Sequence, residues 1–150
     1  MFVGLLSYGA EAVNSSDNIV MNRKKGILLF GHGARNPEWA EPFHRIRELI
    51  LAQDPAALVE LGFLELMQPS FDAGIDTLVR QGANEIVVVP VFVAGGVHVK
   101  KDLPQMAGNA MERHAGLVIG LAPPVGEAAP VLAAMAKYAH TVNVPDGPAL

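Results

Sequence analysis

Glu85-Ile86-Val87-Val88-Val89-Pro90-Val91-Phe92-Val93 is the stretch whose reading decides the fold. A nearly continuous β-branched run is expected of a strand buried on both faces, and such strands belong to parallel sheets sandwiched between helices. Pro90 is its anomaly, because proline donates no ladder hydrogen bond and marks an edge, a bulge or a strand end. Upstream, Gly26 to Phe30 reads as a first strand ending at Gly31-His32-Gly33, and Ala57 to Glu65 as a second. Downstream, Leu117 to Leu121 reads as a short fourth.

The segments between these runs carry helical period. Asn36 as N-cap and Pro37 in the first turn open a helix with Trp39, Phe43, Ile46 and Ile50 on one inward face. After Pro69, Phe71, Ile75 and Leu78 form a stripe that stops near Gly82. A Gly95-Gly96 loop precedes a third helix, whose start is set by the capping-box spacing of Asp102 and Gln105, with Met106, Ala110 and Met111 facing in. The last helix, about Glu127 to Ala139, places Val131, Met135 and Tyr138 on one face. Strands alternating with helices predict an α/β three-layer domain with a four-stranded parallel sheet, in the flavodoxin-like order 2-1-3-4.

The chain has 150 residues, enough for one compact domain. Residues 1–22 read as a flexible extension, with Met21 a possible start of the functional part, 23–140 as the domain, and 141–150 as a tail. No apolar run approaches the ~20 residues that span a bilayer, so a soluble cytoplasmic protein is expected, with no membrane partner. Zero cysteines exclude disulfides, thiolate catalysis and cysteine-ligated metal, leaving His, Asp and Glu as metal donors. A net charge of -4 argues against nucleic acid as partner.

Ligands of open parallel sheets bind beyond the carboxyl ends of the strands. His32 follows the first strand there, Glu65 ends the second, and His98 follows the third. In the expected order the first and third strands are neighbours, roughly 5 Å apart, so both imidazoles border one crevice with the Glu65 carboxylate on its other side. Two imidazoles and a carboxylate with open positions suit Co, Fe or Ni, held transiently. Each residue also has a plainer reading: a hydrogen-bonded or surface histidine, and a solvated or helix-capping glutamate. His44, His114 and His140 are read as surface residues or partners of helix C-termini. Gly31-His32-Gly33 is a weak candidate for a phosphate loop, because the dinucleotide fingerprint needs a glycine where Asn36 stands and the P-loop ending is absent.

Leu29-Phe30-Gly31-His32-Gly33-Ala34-Arg35-Asn36-Pro37 resembles the opening motif of the sirohydrochlorin chelatases. Pro90 to Pro104, containing Gly95-Gly96-Val97-His98-Val99-Lys100-Lys101-Asp102, is similar to that family's second histidine motif. Phe63-Leu64-Glu65-Leu66 with Pro69-Ser70 is similar to the segment between. The resemblance spans about Lys25 to Tyr138 and departs at Ala34, where the family usually has serine. It implies a small class II chelatase of the cobaltochelatase or ferrochelatase type, a lyase that inserts Co2+ or Fe2+ into sirohydrochlorin for cobalamin or sirohaem synthesis. It further implies that His32 and His98 bind the metal and accept pyrrole protons, that Glu65 assists, and that the chain pairs as a homodimer. The anionic side chains of such a ring would suit Arg35, Lys100 and Lys101, each of which is equally well read as a solvated cation. The divalent metal is then substrate, and no permanently bound cofactor is expected. Two other readings remain open: a metal or tetrapyrrole carrier without turnover, and a histidine phosphatase, against which stands Gly31 where an arginine would precede the histidine.

Overall fold

The computed structural model describes residues 22–143. The expected extension falls almost wholly, and most of the expected tail, outside them. Four parallel strands, β1 (Lys25–Gly31), β2 (Leu58–Phe63), β3 (Glu85–Pro90) and β4 (Val118–Leu121), form one sheet in the order β2-β1-β3-β4. The α/β class and the 2-1-3-4 order are as expected. Between and after them run α1 (Glu41–Gln53), α2 (Phe71–Arg80), α3 (Val97–Arg113) and α4 (Ala129–Thr141). Among the described residues no helix is long and apolar enough to cross a membrane.

The pleat divides the sheet into two cores. On one face Leu28, Phe30, Ile86 and Val88 pack against Phe71, Ile75 and Leu78 of α2 and Val99, Leu103, Ala107 and Ala110 of α3. On the other, Leu29, Val59, Leu61 and Phe63 pack under Phe43 of α1. Phe30 meets Phe71 edge-on, ring centroids 5.9 Å apart, and Phe43 meets Phe63 at 5.1 Å. Ser70 caps α2 by accepting the Ala73 N–H at 3.2 Å. The α2 stripe is therefore as its spacing dictates.

β3 ends at Pro90, three residues short of expectation, and the ladder explains why. Val91 N–H donates to the Phe30 carbonyl at 2.8 Å, so alternate N–H groups of β3, including the one Pro90 lacks, face β4. Pairing with β4 stops at Val88 and Leu121, while pairing with β1 continues to Phe30 and Pro90. Proline thus sits where no partner strand asks for a donor.

Other expectations need correction. α3 begins at Val97, capped by Gly96, five residues before the Asp102 start; Asp102 is exposed on the helix and Pro104 lies inside it. Asn36 does act as an N-cap, its side chain accepting the Glu38 N–H at 3.0 Å, but of a short 3-10 turn, Pro37–Ala40, before α1. That turn rotates Trp39 out of register with Phe43, leaving it 58% exposed. Met111 is also exposed. Among the described residues α4 buries none of its own, and Met135 and Tyr138 are 43% and 69% exposed.

His114 turns out to be a tertiary partner. At the C-cap of α3 it lies half-buried with Nε2 2.7 Å from Asp76 Oδ1 on α2, where Arg113 also reaches the carboxylate at 3.4 Å. The His114 hydrogen bond, against the opposing effect of burial and with help from Arg113, holds the Asp76 carboxyl below its usual range. A lowered folded-state value contributes stability that is present above the unfolded aspartate value and is lost as pH falls through the folded one. Asp76→Asn should therefore lower Tm at pH 7, with the difference from wild type shrinking below about pH 4. Thermal melts at pH 7 and pH 3 check this; an equal difference at both would refute it.

Candidate metal-handling site

Three segments meet at the carboxyl edge of the sheet. His32 directly follows β1 and is exposed. Leu64 N–H donates to Gly31 O at 2.9 Å and Glu65 N–H to His32 O at 3.1 Å, so β1–β2 pairing continues past the strand ends and sets His32 beside Glu65. Gly33 permits the approach. Its φ is +86°, and a Cβ there would overlap the Glu65 carbonyl oxygen. Glu65 is exposed, and Leu66 follows at φ 64°.

The His32 ring lies toward the β3 side. Its centroid is 5.5 Å from that of Phe92, with planes 41° apart, and Phe92 packs in turn edge-on to Phe30 at 6.3 Å. The Phe92 carbonyl accepts Gly126 N–H at 3.1 Å, tying in the segment after β4. His98 is the second residue of α3 rather than a loop residue, and its backbone stands in the first helical turn beyond β3, the strand adjacent to β1. The loop expected to hold it is shorter because the Gly95-Gly96 pair turns straight into the helix, with Gly96 at φ -69° as cap.

The expected cations flank this edge on opposite sides. Arg35 lines a cavity of about 370 Å³ with His44, Met67 and Gln68, on the β2 side. Lys100 lines an apolar cavity of about 150 Å³ with Phe92, Leu103 and Pro124, on the β4 side. Lys101 is exposed on α3. Among the described residues no three His, Asp or Glu side chains cluster as a closed metal site. His32 and Glu65 are exposed residues on neighbouring segments joined by the backbone bond from Glu65 N–H to His32 O.

Sequence reasoning missed Phe92 and Gly126. The sequence places Phe92 as the penultimate residue of the third strand, whereas it is the aromatic wall of His32. Its signal was present: an aromatic residue two positions past a proline that must end the ladder. Gly126 is buried with its Cα against the Val93 backbone, a close approach that only the assembled tertiary structure reveals.

A family profile described as CbiX matches residues 26–141, from the second residue of β1 to the end of α4. The chain belongs to the CbiX family. Over 82 residues, 55% of this chain and 57% of the relative, it is 39% identical to the sirohydrochlorin cobaltochelatase of Methanopyrus kandleri. The chain thus spans less than two thirds of the length of that curated relative. Among solved structures, this CbiX-family chain superposes with a TM-score of 0.68 and 29% identity on a putative cobalamin biosynthesis CbiX protein from Marinobacter aquaeolei, covering 77% of this chain and 94% of that one. It superposes with a TM-score of 0.67 and 30% identity on the sirohydrochlorin chelatase SirB of Bacillus subtilis in complex with cobalt, covering 79% of this chain and 51% of that one. The residues matched to the CbiX family include His32, Glu65 and His98.

Proposed function

We propose that the protein inserts a divalent metal, Co2+ or Fe2+, into sirohydrochlorin or a closely related tetrapyrrole, in cobalamin or sirohaem synthesis. The observation that carries this reading is the juxtaposition, beyond the ends of hydrogen-bonded β1 and β3, of exposed His32 and the α3 turn bearing His98, in a chain of the CbiX family. Insertion must strip water from the ion, take up two pyrrole protons and present the metal to one ring face. His32 and His98 bind the ion through neutral imidazole nitrogen and, as it passes to the ring, accept the displaced protons. Glu65, fixed beside His32 by the Gly33 contact, assists in that transfer.

Arg35 and Lys100, on either side of the edge, together with Lys101, orient the anionic ring side chains. The protein works as a cytoplasmic homodimer. Metal choice among Co2+, Fe2+ and Ni2+ follows supply, because a nitrogen and oxygen site takes all three.

An anaerobic assay of sirohydrochlorin with each metal tests the reading. Catalytic spectral change supports it; stoichiometric binding alone identifies a carrier, and neither result favours other histidine chemistry. Joint replacement of Lys100 and Lys101 by alanine should raise KM for the tetrapyrrole about tenfold with kcat little changed, as expected for charge-assisted contacts made equally in ground and transition states. Steady-state kinetics read the split, and a fall confined to kcat would count against this role.

A further inference from the structure

β3 and β4 separate before β3 ends. Their pairing stops at Val88 and Leu121, with Ala122 N–H donating to the Val88 carbonyl at 2.9 Å, while β3 runs on beside β1 to Pro90. The apolar cavity of about 150 Å³ opens where they part. Pro90 and Phe92 line it from β3 and its continuation, Val99 and Leu103 from α3, and Ala122 and Pro124 from the segment after β4. Pro90 and Pro124 have no N–H to offer and the side chains around them are hydrocarbon, so water finds few partners there and an apolar group is favoured. The walls are held in place. Gly126 N–H donates to the Phe92 carbonyl at 3.1 Å, and Val99 and Leu103 are buried in the core beneath α3.

One charged side chain reaches this cavity. Lys100 is the only polar side chain lining it, and its stem passes Gly95 at the rim, where a Cβ would lie 3.6 Å from Lys100 Cε and 3.3 Å from Pro124 Cγ. Among the described residues Lys100 pairs with no carboxylate. The cavity also shares a wall with the candidate site, because the Phe92 ring lies 5.5 Å from the His32 ring. A ligand whose centre faces His32 therefore meets the cavity with a group at its periphery.

We propose that the cavity takes the methyl group on a tetrahedral ring carbon of the tetrapyrrole, with the carboxylate borne by the same carbon held by Lys100 at the rim. This inference rests on the proposed function and adds how the site recognises its ring. Sirohydrochlorin has two partly reduced rings, each with one carbon that carries both a methyl and an acetate group. Uroporphyrin bears the same acid side chains on trigonal carbons and has no such methyl. The cavity has room for roughly five water-sized groups, enough for the methyl and the adjoining ring edge. An acetate entering alone would carry charge into an apolar space. The cavity thus selects methylated, partly reduced tetrapyrroles over fully conjugated ones.

Titration of each metal-free ring into the protein, followed by absorbance, tests this. Wild type should bind sirohydrochlorin at least about tenfold more tightly than uroporphyrin, the range of one methyl group in a fitted pocket. Ala122→Leu, which fills the cavity, should weaken sirohydrochlorin binding about tenfold, with uroporphyrin binding and far-UV circular dichroism unchanged. Gly95→Ala narrows the rim without altering a core residue, and serves where the leucine does not fold. It should weaken sirohydrochlorin alone by about fourfold, the effect of one methyl left unburied. Unchanged sirohydrochlorin affinity in a folded variant, or an equal loss for both rings, overturns the proposal. A wild type that binds the two rings equally overturns it too, while leaving the chelatase reading standing; a wild type that binds neither removes both.

Discussion

His98→Ala is expected to lower the rate of metal insertion about 100-fold or more while leaving the domain folded. The magnitude is that of losing a positioned proton acceptor, which contributes roughly 10²–10⁴ to a rate, compounded by loss of a metal donor. The fold should survive because His98 stands in the first turn of α3, where alanine keeps the helix. Leu103, Ala107 and Ala110, which anchor α3 in the core, are untouched. Initial rates with sirohydrochlorin and Co2+, with circular dichroism of the same samples, measure both halves. His140→Ala, exposed in the last turn of α4, serves as the control and should retain full activity. Wild-type turnover in His98→Ala would remove His98 from the chemistry.

Gly33→Ala should be the most damaging single methyl group at the site. Alanine at φ +86° costs about 1–2 kcal/mol. Its Cβ also occupies the position of the Glu65 carbonyl oxygen, so the pairing of His32 with Glu65 must open. Together these predict a loss of about 2–4 kcal/mol, or a fall in Tm of roughly 10 °C, and an activity loss larger than the unfolded fraction explains. Gly96→Ala is the informative contrast. That residue lies at φ -69° with nothing near its Cβ position, so Tm should barely change. Equal effects of the two substitutions on Tm would show that the Glu65 contact is not the cause.

The positions of His32 and Glu65 were legible because each lies within two residues of a strand end. The run Glu85 to Val89 announces a central strand, and Gly31-His32-Gly33 announces a tight turn after another; strand order then brings the two histidine segments to one edge. Where the helices start was less legible. Asp102 and Gln105 have capping-box spacing, yet Gly96 begins α3 earlier, because a cap is chosen by where the chain leaves the sheet and not by side-chain pattern alone. Trp39 illustrates the same limit: its spacing to Phe43 suits an α-helix, and a 3-10 turn between them changes the angle per residue.

By itself, the order of apolar runs and turn residues determined the layer architecture, the parallel sheet and the placing of His32 and Glu65 just past their strands, since these depend on local period and short connections. Only tertiary structure decided that Phe92 walls the His32 ring, that His114 pairs with Asp76, and that α4 buries no residue among the described ones. Period along a chain says which face of an element is apolar. What that face meets depends on contacts between residues far apart in sequence, and those exist only once the elements have packed.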